Sequence, residues 1–302
     1  MNATGILDCI GGTRLLPLRK VGARISLKLE TENPTGSMKD RMALAMIEAA
    51  ADGRLPPGGA VVEYTGGSTG VSLALVCAVK GHPLHIVTSD AFAAEKLAHM
   101  RVLGARLTVL PSDSGRMTEK LTRDMIARAH AIADETGAYL TDQMRNRDQL
   151  AAYRMMADEI WDETEGRIDA LVQSVGTAAS IRGLSEGLRR RNPEIEIVAV
   201  EPAESAVLSG GPTGAHRIDG IGAGYVVPLW RDGIADAIER VSTEDAKAMM
   251  LRLAREEGLF AGTSTGANLV AALRTAERLG PDARIVTVMC DTGMKYLKGL
   301  TG

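Results

Sequence analysis

The chain is predicted to be an α/β protein with mostly parallel sheets and helices on both faces, and three observations point there. Short runs rich in Val, Ile and Leu alternate with longer stretches of helical period along most of the 302 residues, the rhythm of repeated strand–helix units. Val, Ile and Leu dominate those runs, as expected of strands covered on both faces. At roughly 100–200 residues per domain, the length fits two domains or one large α/β unit. A hydrophobic content of 45% supplies a core without staples.

In chain order, a strand is expected over 25–30 and a helix over 39–52. On that helix Met42, Ala43, Met46 and Ala50 share one side, and Arg41, Glu48 and Asp52 share another. A strand over 60–64 leads into a helix over 71–80, then a strand over 84–88, a helix over 94–103 and a strand over 107–110. Helices follow over 118–136 and 149–163, then a strand over 170–174, a helix over 181–191 and a strand over 196–200. From 201 to 240 the rhythm lapses into a stretch rich in Gly and Pro, which predicts a long ordered loop region. Helices over 243–257 and 266–279 and a strand over 284–289 complete the pattern. There is no fixed-period repeat.

Composition removes several classes of function. Thirty-five Lys and Arg against 38 Asp and Glu leave a net charge of −3, without the basic excess that duplex binding needs. Two Trp, five Tyr and two Phe make a poor stacking platform for single strands. Cys9, Cys77 and Cys290 form no C-x-x-C pair and read as small buried hydrophobes in a reducing compartment. His82, His85, His99, His130 and His216 show no ligand spacing, so no metal is expected. With no basic-then-apolar leader and no long apolar run, a cytoplasmic setting is expected. Arg189, Arg190 and Arg191 read as a solvated helix end.

In open α/β sheets, ligands bind where strands run into helices, and three such loops stand out. The first, Asn33-Pro34-Thr35-Gly36-Ser37-Met38-Lys39-Asp40-Arg41, opens a helix. Lys39 falls on its apolar side, in the first turn, where the dipole disfavours a cation. Such an amine loses its proton more readily, as a Schiff-base lysine must; a stem packed on the core with the amine reaching water fits the same pattern. The second loop, Thr65-Gly66-Gly67-Ser68-Thr69-Gly70, exposes backbone N–H groups ahead of a helix, suiting a carboxylate or phosphate, or serving as a capped turn. The third, Gly176-Thr177-Ala178-Ala179-Ser180, shares that logic and matches neither dinucleotide nor P-loop fingerprint.

Together with Ile10-Gly11-Gly12-Thr13, Gly220-Ile221-Gly222-Ala223-Gly224, Gly262-Thr263-Ser264-Thr265-Gly266-Ala267 and Asp291-Thr292-Gly293-Met294-Lys295-Tyr296-Leu297, these motifs resemble the cysteine synthase and cystathionine β-synthase family. The resemblance covers nearly the whole chain, in order. It implies fold-type II, pyridoxal 5′-phosphate-dependent architecture, similar to tryptophan synthase β: two three-layer αβα domains. A smaller, mobile domain over 36–144 would carry the substrate-carboxylate loop; a larger one, from 1–35 and 145–302, would carry the phosphate loop.

The resemblance also assigns roles. Lys39 would hold the cofactor as an internal aldimine and act as general base. Gly176, Thr177, Ala178, Ala179 and Ser180 would bind its phosphate, Thr292 would meet the pyridine nitrogen, and Ser68 would lie beside the ring hydroxyl. Thr65, Gly66, Gly67, Ser68, Thr69 and Gln143 would receive the substrate carboxylate, with Gly222 lining the substrate cleft. The implied reaction is β-replacement on an O-activated L-serine through an aminoacrylate, giving L-cysteine or another β-substituted alanine. A cytoplasmic homodimer without a regulatory extension is implied. Serine or threonine dehydratase chemistry, or a cofactor-binding relative with little turnover, are the competing readings.

The sequence departs from the family pattern at four positions. Ser68 stands for a usual Asn, Gly66 for a usual Ser, and Ala178 and Ala179 for two glycines. Alanine disfavours positive φ, so negative φ is expected at both alanines, or a displaced phosphate. These changes bear on substrate choice more than on the cofactor. Arg217 reads as a surface charge, and Cys290 adjoins the loop of Thr292.

Overall fold

The computed structural model describes residues 4–113, 115 and 118–299. The chain divides into two compact units, one from Met1–Ile10 and Lys39–Gln149, the other from Gly11–Met38 and Leu150–Gly302.

The smaller unit is built on a four-stranded parallel sheet. Its strands are β3 (Val61–Tyr64), β4 (Leu84–Ser89), β5 (Arg106–Leu110) and β6 (Tyr139–Leu140), in the order β5-β4-β3-β6. Helices α1 (Lys39–Ala50), α2 (Ser68–Lys80), α3 (Ala94–Val102) and α4 (Glu119–Thr136) pack on it and on one another. The amphipathic α4 turns Leu121, Met125, Ala129 and Ile132 onto the face that presents Val62, Tyr64 and Val87. Its start is fixed by Thr118, whose hydroxyl accepts the Leu121 N–H, and its end by Gly137 in the left-handed conformation.

The larger unit carries a six-stranded sheet in the order β1-β2-β10-β7-β8-β9. These strands are β1 (Leu15–Pro17), β2 (Ile25–Lys28), β7 (Ala170–Ser174), β8 (Glu196–Pro202), β9 (Ala237–Val241) and β10 (Ile285–Val288). Only β1 runs antiparallel, against β2. Helix α8 (Thr263–Leu279) packs along this sheet and against α7 (Thr243–Glu257), burying Leu269, Ala271, Ala272 and Ala276 in the core. Helix α6 (Ala179–Arg189) lies close on α5 (Gln149–Glu163): a Cβ at Gly183 would meet Tyr153, and one at Gly187 would meet Ala157. Lys28, fully buried in β2, is neutralised by Glu159 at 2.9 Å and Glu163 at 2.5 Å.

Several expectations need correction. The stretch over 201–240 is largely loop, but β9 begins within it at Ala237. The short β1 and β6 lie outside the predicted strands. Cys9 is exposed, whereas Cys77 and Cys290 are buried. Arg41 is buried rather than on a polar face, because α1 also buries Asp40, Met42, Ala43, Met46 and Ile47 and so has no single solvent-free side. Arg189 is more than a solvated helix end: it donates to the Gly233 and Ile234 carbonyls and to Asp236 at 2.5 Å.

Candidate active site

In the smaller unit, α2 begins at Ser68, three residues before its predicted start, so Ser68, Thr69 and Gly70 form its first turn. That brings the helix N-terminus, with its unspent N–H groups and positive dipole end, directly onto the glycine-rich loop. The Thr65 hydroxyl accepts the Gly67 N–H at 3.2 Å. The Thr69 hydroxyl donates to Gln143 Oε1 at 2.8 Å, and Gln143 Nε2 donates to the Tyr64 carbonyl at 3.3 Å. Thr65, Gly66, Gly67, Ser68, Thr69 and Gln143 thus meet at one end of β3, a set of hydroxyls and amides able to receive a carboxylate. Gly66 has a steric reason to be glycine, since a Cβ there would lie inside the ring of Phe92.

Lys39 is the first residue of α1 and is half-buried. Its neighbour Asp40, fully buried, accepts the Ser72 hydroxyl at 2.5 Å and so ties the first turn of α1 to α2. Lys39 and the glycine-rich loop are therefore fixed within one unit by packed helices.

In the larger unit, α6 begins at Ala179, two residues before its predicted start. Ala178 is its N-cap with φ 67° and ψ −4°, so the expectation of negative φ there fails. The reason is geometric: the chain must turn sharply from β7 into α6, and the left-handed conformation makes that turn. Ala178 has no side chain to cap the helix, and beyond the Ala179 N–H, which the Thr177 hydroxyl takes, first-turn amides are left for an outside acceptor. Ala179, by contrast, is ordinary helix.

A Cβ on Gly176 would collide with the Gly220 carbonyl, so only glycine lets these loops approach. The Thr177 hydroxyl accepts the Ala179 N–H at 3.4 Å, and Ser180 Oγ accepts Gln173 Nε2 at 3.2 Å. Gly222, at φ 65°, donates its N–H to the Val175 carbonyl at 3.0 Å. Its own carbonyl accepts His216 Nε2 at 3.0 Å. Thr292 follows β10, donates its N–H to the Gly36 carbonyl at 2.9 Å, and accepts the Met294 N–H at its hydroxyl.

Reasoning from the sequence missed the supports behind these groups. Asn268, fully buried on α8, accepts the Ser174 N–H at 2.8 Å and donates to the Val288 carbonyl at 3.0 Å, joining the ends of β7 and β10. Cys290 is part of that joint, its N–H donating to Thr265 Oγ1 at 3.1 Å. Glu63, an acid in the otherwise uncharged run Val-Val-Glu-Tyr, was visible as an anomaly. Lys39, the carboxylate-type loop and Gln143 belong to the smaller unit; residues 176–180, Gly222 and Thr292 belong to the larger.

Residues 6–291 match the family model of the pyridoxal-phosphate dependent enzymes. The chain belongs to this family. It is 37% identical over 299 residues to the cysteine synthase of Staphylococcus aureus, covering 97% of this chain and 94% of that one. Among solved structures it resembles O-acetylserine sulfhydrylase isoform 3 of Entamoeba histolytica, with a TM-score of 0.91 and 36% identity, covering 99% and 91% of the two chains. It also resembles an O-ureido-L-serine synthase, with a TM-score of 0.92 and 32% identity, covering 98% and 94%. These neighbours share the fold-type II architecture, and the protein is a pyridoxal-phosphate-dependent enzyme of β-replacement.

The residues present fit that cofactor. The larger unit offers what a phosphate monoester requires: a loop narrowed by Gly176, uncapped amides at the start of α6, and the hydroxyls of Thr177 and Ser180. Ala178 already takes the left-handed turn that glycine would otherwise supply.

Proposed function

We propose that the enzyme replaces the acetoxy group of O-acetyl-L-serine by sulfide, releasing acetate and L-cysteine. The supporting observation is the bonded pair of Thr69 and Gln143, beside the Thr65 turn at the mouth of β3, in a chain matched over 97% of its length by a cysteine synthase. When bound, pyridoxal phosphate supplies the electron sink that makes the Cα proton acidic. Residues 176–180 would hold its phosphate, and Thr292 would offer its ring nitrogen a neutral hydroxyl. Without a carboxylate at that nitrogen, loss of the β-substituent is favoured over transamination. Lys39 anchors the cofactor, then removes the Cα proton and later returns it. Thr65, Gly66, Gly67, Ser68, Thr69 and Gln143 would orient the substrate carboxylate, Ser68 would also serve the ring hydroxyl, and Gly222 would line the cleft.

The smaller unit is the part that rearranges as the substrate carboxylate is received. The reading extends to a cytoplasmic homodimer. What supports it is the similarity to the family; among the described residues Cys9, Cys77 and Cys290 are free and no helix is long and apolar enough to cross a membrane.

The test is to assay cysteine formation from O-acetyl-L-serine and sulfide, with Lys39→Ala alongside. Wild-type turnover with loss of at least about a thousandfold in Lys39→Ala is expected for a general base that also anchors the cofactor. A Lys39→Ala protein with full turnover would sink the assignment. Pyruvate and ammonia formed from serine without added nucleophile, in place of replacement, would favour the dehydratase reading.

A further inference from the structure

Glu63 stands in the middle of β3, a strand whose four residues are all buried, and is itself 0% exposed. Its carboxylate accepts three hydrogen bonds: the Tyr64 N–H at 2.9 Å, the Thr141 hydroxyl at 2.6 Å and the Gln143 N–H at 3.0 Å. None of these donors is a cation. An ionised carboxylate buried without a counter-charge is costly, and an apolar or amide side chain of similar size would cost folding less. Its three partners explain what it does instead. Thr141 and Gln143 lie on the segment that follows β6, and Gln143 is bonded in turn to Thr69, in the first turn of α2.

We propose that Glu63 is a positioning residue for the reaction: its carboxylate fixes the Gln143 backbone and, through the Gln143 side chain, holds Thr69 and the first turn of α2 where the substrate carboxylate is received. This rests on the assignment of Thr69 and Gln143 to that carboxylate.

Burial pushes the Glu63 carboxyl up to about 7, against the pull of its three hydrogen bonds, and the charge of Asp142 adds to the rise. The other groups around it work weakly. On β6, Tyr139 is half-buried, and on β4 His85 bonds to Thr108 Oγ1. Helix α4 presents apolar Leu121, Met125, Ala129 and Ile132, and the single charge of α2, Lys80, sits at its far end paired with Glu48. A proton taken up by Glu63 has a place to go. The Thr141 hydroxyl also lies 3.3 Å from the Val62 carbonyl, so it can turn its own proton there and accept from the acid. The Gln143 N–H then faces a neutral oxygen, a weaker acceptor than a carboxylate. Substrate binding should therefore weaken as Glu63 is protonated.

The experiment uses the holoenzyme with O-acetyl-L-serine and saturating sulfide, between about pH 6 and 8, a window that brackets the Glu63 carboxyl. In Glu63→Gln, KM for O-acetyl-L-serine should rise about tenfold above neutrality, the weight of one charge-assisted hydrogen bond, with kcat within about twofold. The wild-type KM should fall as pH rises through 7, and the Glu63→Gln KM should not follow it. Gln143→Ala, measured in parallel, should also raise KM. If Gln143→Ala raises KM and Glu63→Gln leaves it unchanged, the role of Glu63 is overturned and the carboxylate site stands. If Gln143→Ala leaves KM unchanged, the carboxylate site itself is misassigned and the role of Glu63 falls with it. Should Glu63→Gln fail to take up cofactor, Thr141→Val and the wild-type profile decide: an unchanged KM in the one and a flat profile in the other overturn the proposal.

Discussion

Gly66 and Phe92 are a matched pair. The loop proposed to receive the substrate carboxylate carries glycine where the family pattern has serine, and the ring of Phe92 fills the place a Cβ at 66 would take. Aromatic rings do not yield as a flexible side-chain end does, so Gly66→Ser should overpack the site and destabilise the protein by about 1–3 kcal/mol. Phe92→Ala alone should also cost stability, since the half-buried ring packs against the core cluster of the smaller unit. Combined, the two changes should be less harmful than their sum, with a coupling of about 1 kcal/mol read from urea unfolding of the four proteins. Strict additivity would show that the ring does not dictate glycine. Ala178 is the opposite case, a residue kept where glycine is easier. Its φ of 67° costs about 1–2 kcal/mol relative to glycine. Its buried methyl group returns about 0.8 kcal/mol, and glycine would add unfolded-state entropy worth about another 0.5–1 kcal/mol. The terms nearly cancel, which is why alanine is tolerated at a turn that the sequence pattern reserves for glycine.

The ends of β7 and β10 are held together by one side chain on α8. Asn268 satisfies the Ser174 N–H and the Val288 carbonyl at once, and both groups are buried. Replacing it with Ala strands the Ser174 N–H and leaves the Val288 carbonyl only the weak Cys290 thiol donor, a stranded group being worth about 1–3 kcal/mol. Asn268→Ala should therefore lower unfolding free energy by about 2–4 kcal/mol; a loss under about 1 kcal/mol in urea titration would mean that water or relaxation replaces the joint. This support was hidden in the sequence because an Asn in a helix read as one more polar residue, and only the sheet order brings it between two strands. The central strands were readable because their side chains are buried on both faces: β3, β7 and β10 are buried throughout. The strands that escaped notice lie at edges, where β1, β6 and β9 are half-exposed and need no apolar run. Three helix starts were placed too late for one physical reason. Ser68, Ala179 and Thr263 open helices with small or hydroxyl residues and glycine, which look like loop yet form the first turns. The motifs of the site were legible because their chemistry is local; Glu63, Phe92 and Asn268 act through neighbours brought in by the fold.

Buried charge gives the molecule a distinctive dependence on pH. Most shifted carboxyls are lowered. Burial alone would raise Glu186, yet hydrogen bonds from Arg154 and Arg182 leave it below its ordinary value. The same holds for Glu257, where the N–H groups of Val21, Lys20 and Arg19 outweigh burial. Such groups stabilise the fold above the ordinary carboxyl range, and that stability is lost as pH falls through their lowered values. Glu63 acts in the opposite sense. Its carboxyl, raised by burial from 4.5 to about 7, binds a proton more tightly in the folded state. The stability it contributes is therefore fully present below 4.5 and is lost as pH rises to about 7. At 1.36 kcal/mol per unit, the change is at most about 3 kcal/mol. His85, lowered by burial and by Arg106 and Arg128, works against it, its contribution being lost as pH falls below 6.5. Comparing wild type with Glu63→Gln removes that background. The stability difference between them should shift against the wild type by up to about 3 kcal/mol from pH 4.5 to 7, then stay level above it. Both tryptophans, Trp161 and Trp230, lie in the larger unit, so tryptophan emission is the wrong probe. Urea unfolding followed by far-ultraviolet circular dichroism reports on both units, and a difference that stays constant across this range would show that Glu63 remains ionised in the folded protein.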